Sequence, residues 1–163
     1  MINIQRGVGM VEVMVALLLL AIGVLGFTAL QLRAVSASME AGNQVAALNI
    51  ARDLTERMRA NPSGHYKNPT SAITKNTKCV ADTDEQADDG DEAAVNDMCQ
   101  IVKQADENGM AILLDTCPVS GSSRQCIYVA WDKTVKDFTS EKCYPKGASS
   151  YVVGSTCLFL EAY

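Results

Sequence analysis

Six cysteines, one histidine and a run of acids are the residues of this chain whose types could do chemistry. The cysteines stand at Cys79, Cys99, Cys117, Cys126, Cys143 and Cys157. Structural zinc sites hold their ligands in close pairs such as Cys-x-x-Cys. No such pair occurs, and the single histidine, His65, lies in a Pro/Gly-rich turn. An even set of cysteines confined to one side of an apolar segment indicates instead a disulfide framework formed in an oxidising compartment. The span from Asp82 to Glu92 holds seven acidic residues and no basic one, which raises calcium as a ligand. An EF-hand loop needs Asp and then Asp or Asn five and three residues before its glycine. Glu85 and Ala87 occupy those positions before Gly90, so a solvated acidic loop is expected rather than a metal site.

Catalysis finds no foothold. A Ser-His-Asp triad would have to use His65, which has no nucleophile motif near it. No Gly-rich phosphate loop precedes a helix. Core packing accounts for Trp131 and the tyrosines. The expectation is therefore no enzyme, no cofactor and no metal. A formal net charge of -5 argues against nucleic-acid binding, which wants a basic face.

One further residue demands an explanation. Glu12 lies between Val11 and Val13, at the lip of an uncharged run over residues 13–32. Twenty residues at about 1.5 Å each cross a hydrocarbon core of about 30 Å. A carboxylate at the bilayer centre costs about 2.5–3.5 kcal/mol on insertion scales, and less toward the surface. Glu12 either rests among headgroups or awaits a cationic partner. A removable secretory signal would need a small-residue cleavage site after its apolar core. A cut after Ala29 would set Phe27 where a small residue belongs, so the segment is expected to be retained. Arg6 and the initiator amine place the start on the cytoplasmic side by the positive-inside tendency. Arg33, at the far end, opposes that assignment unless its side chain snorkels to the interface.

Past Arg33, apolar residues recur at Val35, Met39, Ala46 or Ala47, Ile50, Leu54 and Met58, a spacing of one helical face. Asn61-Pro62-Ser63-Gly64 stops the helix. Residues 8–60 are thus expected to form one nearly continuous helix, on the order of 80 Å long. Gly23 and Gly26 permit close helix approach within its apolar half. Downstream, a short helix is expected over residues 92–106, with Val95, Met98 or Cys99, and Val102 on its inner side. Strands are expected over residues 111–117, over 126–131, and through Tyr151–Val153 and Cys157–Leu160. The turn between the first two strands would set Cys117 opposite Cys126, within reach of a disulfide. Cys143–Cys157 and Cys79–Cys99 are the hypothesis for the remaining bridges. Six cysteines allow fifteen pairings, and sequence alone leaves the choice open.

A short leader ending in Gly7, then Val8, a glutamate at the fifth position after Gly7 and an uncharged run together resemble the class III signal of type IV prepilins. Two phrases, Ala51-Arg52-Asp53-Leu54-Thr55-Glu56-Arg57-Met58-Arg59-Ala60-Asn61-Pro62 and Leu25-Gly26-Phe27-Thr28-Ala29-Leu30-Gln31-Leu32-Arg33-Ala34, resemble the PilV-type minor pilins. The match covers about the first 62 residues well and the remainder loosely. The resemblance implies an α+β pilin-like fold: leader 1–7, assembly helix 8–60, and a disulfide-bonded head 61–163 on an antiparallel sheet. It implies cleavage after Gly7 by a prepilin peptidase, N-methylation of Val8, and pairing of Glu12 with a neighbour's Val8 amine. Val8 departs from the Phe or Met usual after the cut, and no proline stands near Ala29, where many major pilins carry one. The implied protein waits in the bacterial inner membrane, with its start cytoplasmic and its head periplasmic, and then joins an extracellular pilus of the kind used in adhesion and twitching motility. Its implied partners are other minor pilins, the major pilin, the inner-membrane assembly platform and a tip adhesin. Its implied role is priming assembly and sitting at the tip. A type II secretion pseudopilin shares the same leader and helix, and a plain single-span periplasmic protein would keep Arg6-Gly7-Val8 intact.

Overall fold

The computed structural model describes residues 9–69, 79, 90–119 and 123–162. The chain divides into two compact units, Met1–Gly42 and Asn43–Tyr163. The described part of the first is helix α1 alone. α1 comprises Met10–Ala60, 51 residues. Its start follows Gly9, whose carbonyl accepts the N–H of Glu12 at 2.9 Å and that of Val13 at 3.3 Å. It ends as expected before Pro62, with the Asn61 N–H on the Arg57 carbonyl at 3.0 Å and Arg57 and Arg59 in the last turn, where cations suit the helix dipole.

Within the second unit, α1 buries Ala47, Ile50, Ala51, Leu54, Thr55 and Met58. The Thr55 hydroxyl would be costly there but donates to the Ala51 carbonyl at 2.9 Å. The stripe predicted to begin at Val35 does not do so: Val35 and Met39 are 58% and 67% exposed. Both belong to the unit made of helix only, which offers them no surface to pack against. Helix α2 (Gly90–Glu107) buries Ala94, Met98, Cys99, Ile101 and Ala105. Val95, placed inside by sequence, is 62% exposed. The inner face is set by small alanines that admit close approach and by Cys99, rotating Val95 outward.

Strands β1 (Met110–Thr116), β2 (Gln125–Trp131) and β3 (Cys157–Glu161) form one antiparallel sheet in the order β1-β2-β3. Side chains alternate between its faces. Met110, Leu114, Ile127, Val129 and Trp131 join the buried residues of α1 and α2 in the main core, with Leu158 and Leu160 packed against it. Cys117, Cys126, Tyr128 and Cys143 form a second cluster on the other face, with Leu113, Cys157 and Phe159 against it. β2 lies in the middle and is buried on both faces, hence its unbroken apolar run.

Two strand expectations are corrected. β3 begins at Cys157 and does not take in Tyr151–Val153, because the chain turns there. The Val152 N–H donates to the Cys143 carbonyl at 3.0 Å, the Ser155 N–H to the Val152 carbonyl at 3.0 Å, and Gly154 adopts φ 80°. The hairpin register pairs Cys126 with Asp115, not with Cys117. Cys117 lies just beyond β1, its N–H on the Arg124 carbonyl at 2.9 Å, and meets Cys126 on the diagonal. The 3-10 turn Asp132–Val135 and the short helix α3 (Ser140–Cys143) lead from β2 to the segment that covers the second cluster.

Candidate assembly site

Twenty-odd apolar side chains without a core are the unusual feature of the first unit. Met10, Val11, Leu17, Leu20, Ile22, Leu25, Leu30 and Leu32 are all exposed, and no part of the most apolar stretch of α1 is buried. Burying such a side chain is worth about 1.5–3 kcal/mol, so leaving them all in water would cost tens of kilocalories per mole. Their natural solvent is lipid or other helices. By length and composition α1 is able to cross a membrane. The one hydroxyl in mid-span is already satisfied: Thr28 Oγ1 donates to the Leu25 carbonyl at 2.9 Å. Apart from the helix's own neighbouring backbone, nothing lies within 4 Å of where a Cβ on Gly23 or Gly26 would sit, so both positions are open to a neighbouring helix.

Glu12 occupies the third position of α1, in its first turn. Its negative charge faces the positive end of the helix dipole, worth about 0.3–1 kcal/mol. That position also lets a carboxylate reach back toward the N–H groups ahead of the helix. Among the described residues no cation accompanies it. Gly7 and Val8, the expected cleavage and methylation positions, lie outside the described residues.

The six cysteines of the second unit stand in three bridges: Cys79–Cys99 with Cα atoms 5.7 Å apart, Cys117–Cys126 at 4.9 Å and Cys143–Cys157 at 5.9 Å. The last two staple the outer face of the sheet. There Tyr144, Tyr151 and Phe159 pack edge-on or tilted, with centroids 5.1–5.8 Å apart. The first bridge ties α2 to the segment before it.

Sequence reasoning missed the joint between α1 and α2. Arg57 holds Asp53 at 3.0 Å, Asp97 at 2.9 Å and Gln100 at 2.8 Å. The Tyr66 hydroxyl donates to the other oxygen of Asp97 at 2.7 Å. Its pKa is pushed up to about 12, by burial first and then by Asp97, so it stays a neutral donor. His65, set aside as a turn residue, uses both its N–H and Nδ1 on Asp91 Oδ1, each at 2.8 Å. Asn61 Nδ2 donates to the Gly90 carbonyl at 2.7 Å. A Cβ on Gly64 would meet that carbonyl at 2.8 Å and Ala94 Cβ at 2.9 Å, so glycine is what lets the chain pass. Nothing in the spacing announces the joint, since the partners that cross from one side of it to the other are 26 to 43 positions apart.

Two family models match the chain. The prokaryotic N-terminal methylation motif covers residues 2–28, and the type IV pilin Tt1218 model covers residues 29–106. The chain is a type IV pilin-like protein. Curated proteins and solved structures both returned no match. A pilin is a structural protein and not an enzyme, which agrees with the lack of a catalytic constellation in the sequence. Membership implies membrane anchoring, processing by a prepilin peptidase and assembly with other pilins. For this pilin the exposed apolar half of α1 is the element that would enter a shared helical bundle.

Proposed function

We propose that this pilin is a PilV-type minor pilin of a type IV pilus. A prepilin peptidase cuts after Gly7 and methylates the amine of Val8. The subunit waits in the inner membrane with its start cytoplasmic and its head periplasmic. It then joins other minor pilins on the assembly platform, helps prime the fibre and remains near the tip, where a tip adhesin or the major pilin contacts it.

The observation that carries this reading is the pairing of a wholly unburied apolar half of α1 with one acid in its first turn. Lipid alone would satisfy the apolar residues. The acid adds a requirement: once the helix is drawn among other helices, its charge needs a cation. The amine released at Val8 supplies one from a neighbour. The PilV-type phrase at Ala51–Pro62 supports the minor-pilin assignment.

The test is recovery in sheared pili. Glu12→Ala should leave the protein in the membrane fraction and lower its incorporation into sheared fibres by tenfold or more (about 1.4 kcal/mol per tenfold). Unchanged incorporation, or a mature membrane form that still begins at Met1, would defeat the proposal.

A further inference from the structure

Arg33 is a cation on the side of the span where the positive-inside tendency does not want one. It enters no ion pair among the described residues, and it stands in the unit whose described part is α1. Its place along α1 gives it a use. Residues 13–32 carry no charge, and Glu12 and Arg33 bracket them. Twenty-one helical steps put the two charged residues about 32 Å apart along the axis, against a hydrocarbon core of about 30 Å.

We propose that Arg33 is the depth stop of the membrane-inserted subunit, its guanidinium bound by lipid phosphates of the outer leaflet. This rests on reading α1 as a membrane anchor, but not on assembly into a fibre. A guanidinium presents a planar fork of donors that suits phosphate oxygens. With Arg33 held at that level, the spacing sets Glu12 at the opposite headgroups, hydrated and unpaired without penalty. The acid then meets an apolar environment only when the helix is drawn out of the bilayer. Arg33 thereby keeps the waiting state and the assembling state apart.

Beyond Arg33 the next charged residue is Glu40. Arg33→Leu therefore lengthens the uncharged run to residues 13–39, about 40 Å, and leaves the helix free to slide. The full chain carrying Phe27→Trp would be reconstituted in phosphatidylcholine–phosphatidylglycerol vesicles whose acyl chains are brominated near the headgroup or near the chain end. Phe27 lies six residues before Arg33, about 9 Å deeper. Trp131 is buried in the other unit, and its signal is subtracted using the chain without Phe27→Trp.

Quenching should be stronger from the bromines near the headgroup. Adding Arg33→Leu should reverse that order, and adding Arg33→Lys, which keeps the charge, should preserve it. An unchanged order in Arg33→Leu would overturn the proposal, as would a reversal in Arg33→Lys. Absence of quenching from either lipid would overturn the membrane-anchor reading beneath it. Poor incorporation of Glu12→Ala into pili leaves this result untouched, so the two readings fail separately.

Discussion

Asp115 stands one residue before the end of the hairpin's first strand, with its carboxylate engaged from two sides. The Ser140 hydroxyl donates to one oxygen and the Thr116 N–H to the other, at 2.7 Å for the latter. Burial pushes its pKa up, but these donors and the charge of Lys146 outweigh it and hold the carboxyl below its usual range. A depressed folded-state pKa means stability that is present above the unfolded value and lost as pH falls through the folded one. Asp115→Asn should therefore cost about 1 kcal/mol at neutral pH, after allowing for partial solvent screening. The difference from the parent chain should begin to shrink at about pH 4, the ordinary carboxylate value, and disappear only below the depressed folded-state value. Denaturant melts at neutral and acid pH check both statements. At the same scale Glu12 was legible from its distance to Gly7, whereas Asp115 was not, because Ser140 comes to it only through the fold.

The second half of α1 is the element on which the head is built. Leu54 is fully buried in the main core, in one cluster with residues of α2 and the sheet. Leu54→Ala should remove about 3 kcal/mol of stability. Val95→Ala, at a position that periodicity had wrongly placed inside, should change stability by less than about 0.5 kcal/mol. Chemical denaturation in detergent, followed by Trp131 fluorescence, would read both, and equal effects would contradict the burial described. The outer edge of β1 is met at its middle by one side chain. Asn68 meets both the N–H and the carbonyl of Leu114 on β1, each at 2.7 Å.

At the scale of the molecule, the helix-only unit contributes no core of its own and the second unit carries a modest one backed by bridges. Cys143–Cys157 closes the segment that covers the outer face of the sheet, where Tyr144, Tyr151 and Phe159 stack. Replacing both with serine should cost about 3 kcal/mol by the loop-entropy estimate. The loss should come with no change in membrane association, since the apolar run lies wholly before the cysteines. A lowered denaturation midpoint with an intact membrane fraction is the expected result.

What the amino-acid sequence determined by itself was everything that depends on neighbours along the chain. The uncharged run, the acid at its lip, the stop at Pro62 and the apolar run of β2 are local patterns, and local patterns set helices, spans and strands. Tertiary structure decided where those patterns find partners. Val35 and Met39 continue the helical stripe yet stay exposed, because a stripe states which face is apolar and not how far the surface beneath it extends. Tyr151–Val153 have strand composition but turn, since a hydrogen bond to Cys143 and the left-handed Gly154 outweigh propensity. The Arg57–Asp97–Tyr66 joint and the diagonal meeting of Cys117 with Cys126 arise from contacts between distant segments and from the twist of a hairpin end, and neither leaves a mark in residue spacing.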